Sequence, residues 1–234
     1  MSVLLEVIAT TVADARLAAR AGADRLELVT AMGEGGLTPS LGLIEAVVAA
    51  VEIPVNVIVR PHSRSFVYDR DDYAVMLRDV RAVRTAGANG IVIGMLNEGG
   101  EIDREGLARA VDAADGLAIT FHRAFDEARD LRNSLDVLLG FDAVTNVLTS
   151  GGKPSVLGAQ DTISELVRQA SGSHCTVLAG AGLTVEAIGG FVSRTQVEAV
   201  HFGSGVRVGG NGLAPVDADK VAKVRALLDM TSLN

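Results

Sequence analysis

The stretch LAITFHRAFD, residues 117–126, begins as a buried strand would and ends in groups that are costly to bury. His122 and Arg123 stand side by side, with Asp126 three residues on. An imidazole beside a guanidinium suits proton transfer to a ligand held by its negative charge. The pattern recurs along the chain. Glu6 lies within VLLEVIA (3–9), Glu27 within RLELV (25–29), and Arg60 ends VNVIVR (55–60), ahead of Pro61 and His62. His201 lies within AVHFG (199–203) and is followed by Ser204 and Gly205. Such groups rarely enter apolar segments unless paired or functional. Glu6, Glu27 and His122 are therefore the candidate acids and bases. Arg60, Arg123 and His201 are candidate anion-binding residues. Ser150, Gly151, Gly152, Gly180, Gly182 and Ser204 join them, because glycine-rich turns let backbone N–H groups converge on an anion.

Each of these residues also has a simpler reading. Glu6 and Glu27 could form structural salt bridges with Arg60 or Arg123. His122 could be a satisfied core histidine, Asp126 a turn or helix cap, His62 an exposed loop residue, and the glycines tight turns. No lysine ends an apolar run, since Lys153 lies beyond the sixth, which argues against a Schiff-base aldolase. No residue is assigned to a metal on these grounds.

The segments that must position these groups alternate regularly. Eight apolar, β-branched runs read as strands: 3–9, 25–29, 55–60, 90–94, 117–122, 144–150, 176–180 and 199–203. Helical segments fall near 12–21, 40–50, 71–86, 103–114, 133–139, 160–170, 184–192 and 217–229, with starts at Thr38-Pro39-Ser40, Asp71-Asp72, Asp103 and Asp217. RAGADRLELV (20–29) echoes TAGANGIVIG (85–94), each a helix end, a glycine and a strand. Eight β-α units point to the α/β class and a closed (β/α)8 TIM barrel, one domain over residues 1–234. A doubly wound sheet is the runner-up, but no GxGxxG follows the first strand. In such barrels function gathers at the C-terminal ends of the strands, where the residues above fall.

Composition narrows the partners. The net charge is −8, which disfavours nucleic acid and anionic membrane, and aromatic residues make up only 3%, leaving few platforms for stacking bases. The single cysteine, Cys175, excludes an intramolecular disulfide and a cysteine-type zinc cluster, and it precedes the seventh strand, away from the expected site. The N-terminal run lacks a basic start and is interrupted by Glu6, so it reads as a strand and not a signal peptide. A cytoplasmic protein without a transmembrane helix is expected. The residues support an enzyme acting on a small anionic metabolite, phosphorylated or not, or a ligand-binding barrel without turnover.

Several longer motifs carry a resemblance. LLEV (4–7), GADRLEL (22–28), EGGLTPSLGLI (34–44), Arg60-Pro61, TFHRAFD (120–126), VLTSGG (147–152), AGAGLT (179–184) and EAVHFGS (198–204) together resemble the CutC family of copper homeostasis proteins, in the same order and over nearly the whole chain. The resemblance implies a TIM barrel, a cytoplasmic homo-oligomer, and a role in copper tolerance with copper bound through cysteines. Where family members often carry those cysteines, this chain has Ile8 and Ala9, Val29 and Val67, and His62 replaces the usual arginine after Arg-Pro. Copper(I) prefers thiolate and thioether ligands, so only weaker histidine or methionine ligands remain for it here.

Overall fold

A computed structural model describes residues 2–231. Its strands are β1 (Leu4–Ala9), β2 (Arg25–Leu28), β3 (Val55–Ile58), β4 (Gly90–Ile93), β5 (Ala118–Phe121), β6 (Val144–Thr149), β7 (Thr176–Ala179) and β8 (Ala199–Phe202). They alternate with α1 (Val12–Arg20), α2 (Leu41–Val48), α3 (Arg70–Thr85), α4 (Arg104–Ala114), α5 (Leu131–Leu139), α6 (Gln160–Ala170), α7 (Ile188–Thr195) and α8 (Ala218–Thr231). All strands pair in parallel and in chain order, and β8 returns to β1. The expected (β/α)8 barrel is closed.

The strands are continuous apolar runs because both of their faces are covered. Outward side chains such as Leu5, Val7, Leu26, Val57, Ile91 and Phe121 share one core with Val47, Met76, Val80, Leu107, Leu135 and Ile163 of the helices. Thr11, Ser40, Asp69, Asp103 and Asp130 each accept a first-turn N–H and so start α1 to α5. Asp217 does the same for α8. Gly22 and Gly87, the echoed glycines, take φ of +102° and +83°. The seventh helix departs from expectation, running 188–195 and not 184–192. Thr184 caps an isolated turn by accepting from Ala187 N–H, and the helix begins only where Ile188 can be buried.

Inside the barrel lies a polar layer. Arg25 on β2 donates from Nη1 to Asn146 Oδ1 on β6 at 3.0 Å. These strands are not neighbours, so the bond crosses the lumen. Ile8, Val29, Ile58 and Val92 form a small apolar cluster within the barrel, and Leu148, Leu178 and Ala199, with Leu4, form another. The barrel is filled, as closed eight-stranded barrels are. At the N-terminal ends of the strands a separate cavity of about 820 Å³ is lined by Leu4, Arg25, Asn146 and Thr176 among others. Among the described residues, no helix is long and apolar enough to cross a membrane.

Candidate functional site

The C-terminal ends of the strands enclose a cavity of about 400 Å³. Of the residues expected there, Glu27, Arg60, His122, Arg123, Gly182, His201 and Ser204 line it, whereas Glu6, Ser150, Gly151, Gly152 and Gly180 do not.

The strand register builds the floor. It sets Glu6 level with Arg25 on β2 and with His201 on β8. Glu6 is fully buried and accepts from Arg25 Nε at 2.5 Å and from His201 Nδ1 at 2.8 Å. With Nδ1 so engaged, His201 turns Nε2 toward Glu27 Oε2, 3.6 Å away. Burial works to raise the Glu6 pKa, yet Arg25 and His201 together hold it below the ordinary value. Burial also opposes a charged His201, but its bond to Glu6 and the nearby Glu27 carboxylate raise its pKa. Glu27 has no arginine bonded to it, and burial pushes its carboxyl up to about 7. The partners offered by the sequence, Arg60 and Arg123, are not the ones used. Arg25 takes Glu6, and His201 is the counter-group of Glu27.

One wall is formed by Arg60, Phe66 and His122. The His122 ring fits because residue 94 is glycine; a Cβ there would overlap it. His122 Nδ1 accepts from Ala124 N–H at 3.1 Å, so in the neutral ring the proton sits on Nε2. Nε2 is buried and has no partner in the protein. Burial, with the Arg60 and Arg123 charges, pushes the His122 pKa down to about 3, and the ring is neutral at physiological pH. The bond that Nδ1 accepts from this backbone N–H and the neutral charge of the ring correct the expectation of a general base. A neutral ring with Nδ1 already accepting presents a donor to the cavity. Arg60 donates from Nη1 to the carbonyls of Glu34 and Gly36 at 3.1 and 3.3 Å and stacks over Phe66, 4.7 Å from the ring centre. Its Nε is buried without a partner, and among the described residues no carboxylate pairs with it.

The turn after β6 differs from expectation. Asp126 Oδ1 accepts from Thr149 Oγ1 at 2.5 Å and from the N–H groups of Ser150 and Gly152 at 3.0 Å. Its Oδ2 accepts from Ser150 Oγ at 2.9 Å and from Arg123 Nε at 2.8 Å. Gly151 N–H donates to Thr149 Oγ1. The nest exists, but a carboxylate of the chain fills it, so Ser150, Gly151 and Gly152 are corrected from ligand donors to a clasp between the loops after β5 and β6. Gly180 is corrected too. Its N–H donates to Thr149 O, and a Cβ on it would stand 2.7 Å from Leu148 Cδ1 and 3.1 Å from His201 Cβ. Its smallness makes room for His201. Gly182 and Ser204 remain on the cavity. Sequence reasoning missed Arg25, Asn146 and Phe66. Arg25 carried a signal, since it lies two residues from Glu27 on one strand and therefore on the same face.

A family model described as the CutC family matches residues 3–206. The chain belongs to the CutC family. It is 42% identical over 210 residues to a CutC family protein of Caulobacter vibrioides, covering 89% of this chain and 84% of that one. It is 38% identical over 205 residues to one of Pasteurella multocida, covering 87% and 83%. Among solved structures, a CutC protein of Streptococcus agalactiae, assigned by name to copper homeostasis, superposes with a TM-score of 0.80 at 28% identity, over 85% of this chain and 97% of that one.

Within this CutC chain, Glu6, Glu27 and His201 each offer an atom within 4.8 Å of the others, a spacing that suits a metal ion. Arg25 and His201 already engage both oxygens of Glu6, which leaves Glu27 and His201 Nε2 as free donors. Cys175 is buried just before β7, at the barrel end opposite the cavity, and burial pushes its thiol up to about 12. Met32 is the thioether on the cavity. This donor set does not fit a copper(I) thiolate site.

Proposed function

We propose that this CutC-family chain binds a small anionic molecule in the C-terminal mouth of its barrel and moves a proton to or from it through Glu27 and His201. Arg60 carries the reading. It is a nearly buried guanidinium on the cavity wall with carbonyl acceptors, an aromatic ring and, among the described residues, no paired carboxylate. A buried charge of this kind is satisfied by an anion from outside the chain. Glu27 supports the second half, since a carboxyl with a pKa near 7 is poised to take and return protons at neutral pH. On this reading, any share in the copper homeostasis for which the Streptococcus relative is named runs through the anionic molecule and not through a thiolate-bound ion.

The test is thermal unfolding with inorganic phosphate, small carboxylic acids and phosphate monoesters, in the wild type and in Arg60→Gln. At a hundredfold excess over Kd, at least one anion raises the wild-type Tm by about 5–10 °C and fails to do so in the variant. An anaerobic competition assay shows no stoichiometric uptake of copper(I). No response to any anion, together with stoichiometric copper(I) capture, would overturn the proposal.

A further inference from the structure

We infer that the anionic molecule carries a carbonyl oxygen next to a C–H bond, that His122 Nε2–H receives this oxygen, and that the proton moved is the one on that carbon. The inference rests on the anion-site reading above and adds the substrate class and the reaction.

The starting point is an orphan donor. His122 lines the cavity and is 5% exposed, its Nδ1 accepts from Ala124 N–H, and its Nε2 is buried with no partner in the protein. Leaving a buried donor unmade is costly, so the site is built for an acceptor that arrives with the ligand. The ring is held in place on every side. Phe66 packs at 5.0 Å between centroids, Phe121 at 6.2 Å, and Gly94 leaves the space that the ring fills. The tautomer is set by the backbone, and among the described residues no carboxylate is paired with the ring.

A neutral donor is matched to a neutral oxygen that gains charge during reaction. Arg60 already supplies a full positive charge for the anionic group, so a second cation would only tighten ground-state binding. An uncharged N–H aimed at a carbonyl holds the oxygen as negative charge develops on it and does not surrender its proton. Glu27 is the base on the same cavity. Its carboxylate takes the proton from the carbon beside the carbonyl, and the C–H electron pair becomes the C=C bond. The carbonyl π pair moves onto oxygen, where His122 Nε2–H holds it. Return of the proton from the Glu27 carboxyl to carbon restores the carbonyl, so no oxidant or co-reactant is needed. His201 stands beside Glu27, and Glu6 positions His201 from behind.

The test is exchange of solvent deuterium into 2-oxobutyrate, 2-oxoglutarate and dihydroxyacetone phosphate, followed by proton NMR. At least one probe should lose its signal next to the carbonyl faster than in buffer. Glu27→Gln should slow this on the order of 10²–10⁴-fold. His122→Phe should lower kcat on the order of 10–10²-fold, and Arg60→Gln should act mainly through KM. Nitrogen NMR of the wild type supplies a readout independent of any variant's folding: His122 should remain the neutral Nε2–H tautomer from pH 5 to 8. An imidazolium or an Nδ1–H tautomer overturns the inference. Anions that raise the Tm while no probe exchanges also overturn it and leave the anion site standing. Neither stabilisation nor exchange overturns both.

Discussion

At the residue scale, the cavity floor trades stability for a usable carboxyl. Glu27 is protonated more readily in the folded chain than in the unfolded one, because burial disfavours its charge. Its folded pKa, about 7, lies above the ordinary value of 4.5. The folded state therefore holds the extra proton, and stability falls as pH rises from about 4.5 through about 7. Glu27→Gln removes that fall. Urea unfolding should find the variant and the wild type alike near pH 4.5, and the variant more stable at pH 8 by an amount on the order of 2–3 kcal/mol. Equal stability at pH 8 would mean that Glu27 is not desolvated in the free protein. Groups like this were legible as types and not as roles. The chain displays Glu27, His122 and His201 as exceptions in apolar runs, but the direction of each proton depends on partners that spacing does not encode. His122 is the clearest example, since its charge state follows from its burial and from the position of Arg60.

At the element scale, the strands were readable because a strand covered on both faces must be apolar throughout, and every observed strand falls within its expected run. The pairing across the lumen was not. Arg25 and Asn146 are 121 residues apart, and only closure of the barrel makes them neighbours. The seventh helix was misplaced because a capping threonine can start a turn as well as a helix. The glycines after β6 suggest a nest for a ligand because nothing in TSGG reveals that Asp126 occupies it. That occupancy has an energetic consequence. Asp126→Ala leaves the N–H groups of Ser150 and Gly152 and the Thr149 hydroxyl without their acceptor. Urea unfolding should show a loss of about 2–4 kcal/mol. Inorganic phosphate should restore part of it in the variant and leave the wild type's clasp unaffected. A cost below about 0.5 kcal/mol would show that water replaces the carboxylate, as at surface sites.

At the scale of the whole molecule, the barrel depends on joining its first and last strands. Arg207, 1% exposed, follows β8 and reaches back to β1. It donates to Asp14 Oδ2 at 3.2 Å, Ile8 O at 3.1 Å and Ala214 O at 2.5 Å, while Asp14 Oδ1 accepts from Val216 N–H. The register of β8 against β1 is thus secured by a buried ion pair whose members lie near the two ends of the chain. Arg207→Met strands the Asp14 carboxylate in the interior, and the expected loss is about 3–5 kcal/mol, or roughly 10 °C in Tm. A shift under about 2 °C would mean that Asp14 finds another partner. The same closure gives the polar layer a kinetic meaning. Arg25 and Asn146 bar the lumen between the cavity at the mouth and the one at the far end. Whatever arrives at the mouth and whatever departs from it then share the C-terminal end of the barrel. On the proposed function, a departing product blocks the next arrival, so traffic through the mouth, and competition between product and substrate for it, would set an upper limit on turnover however fast the proton moves.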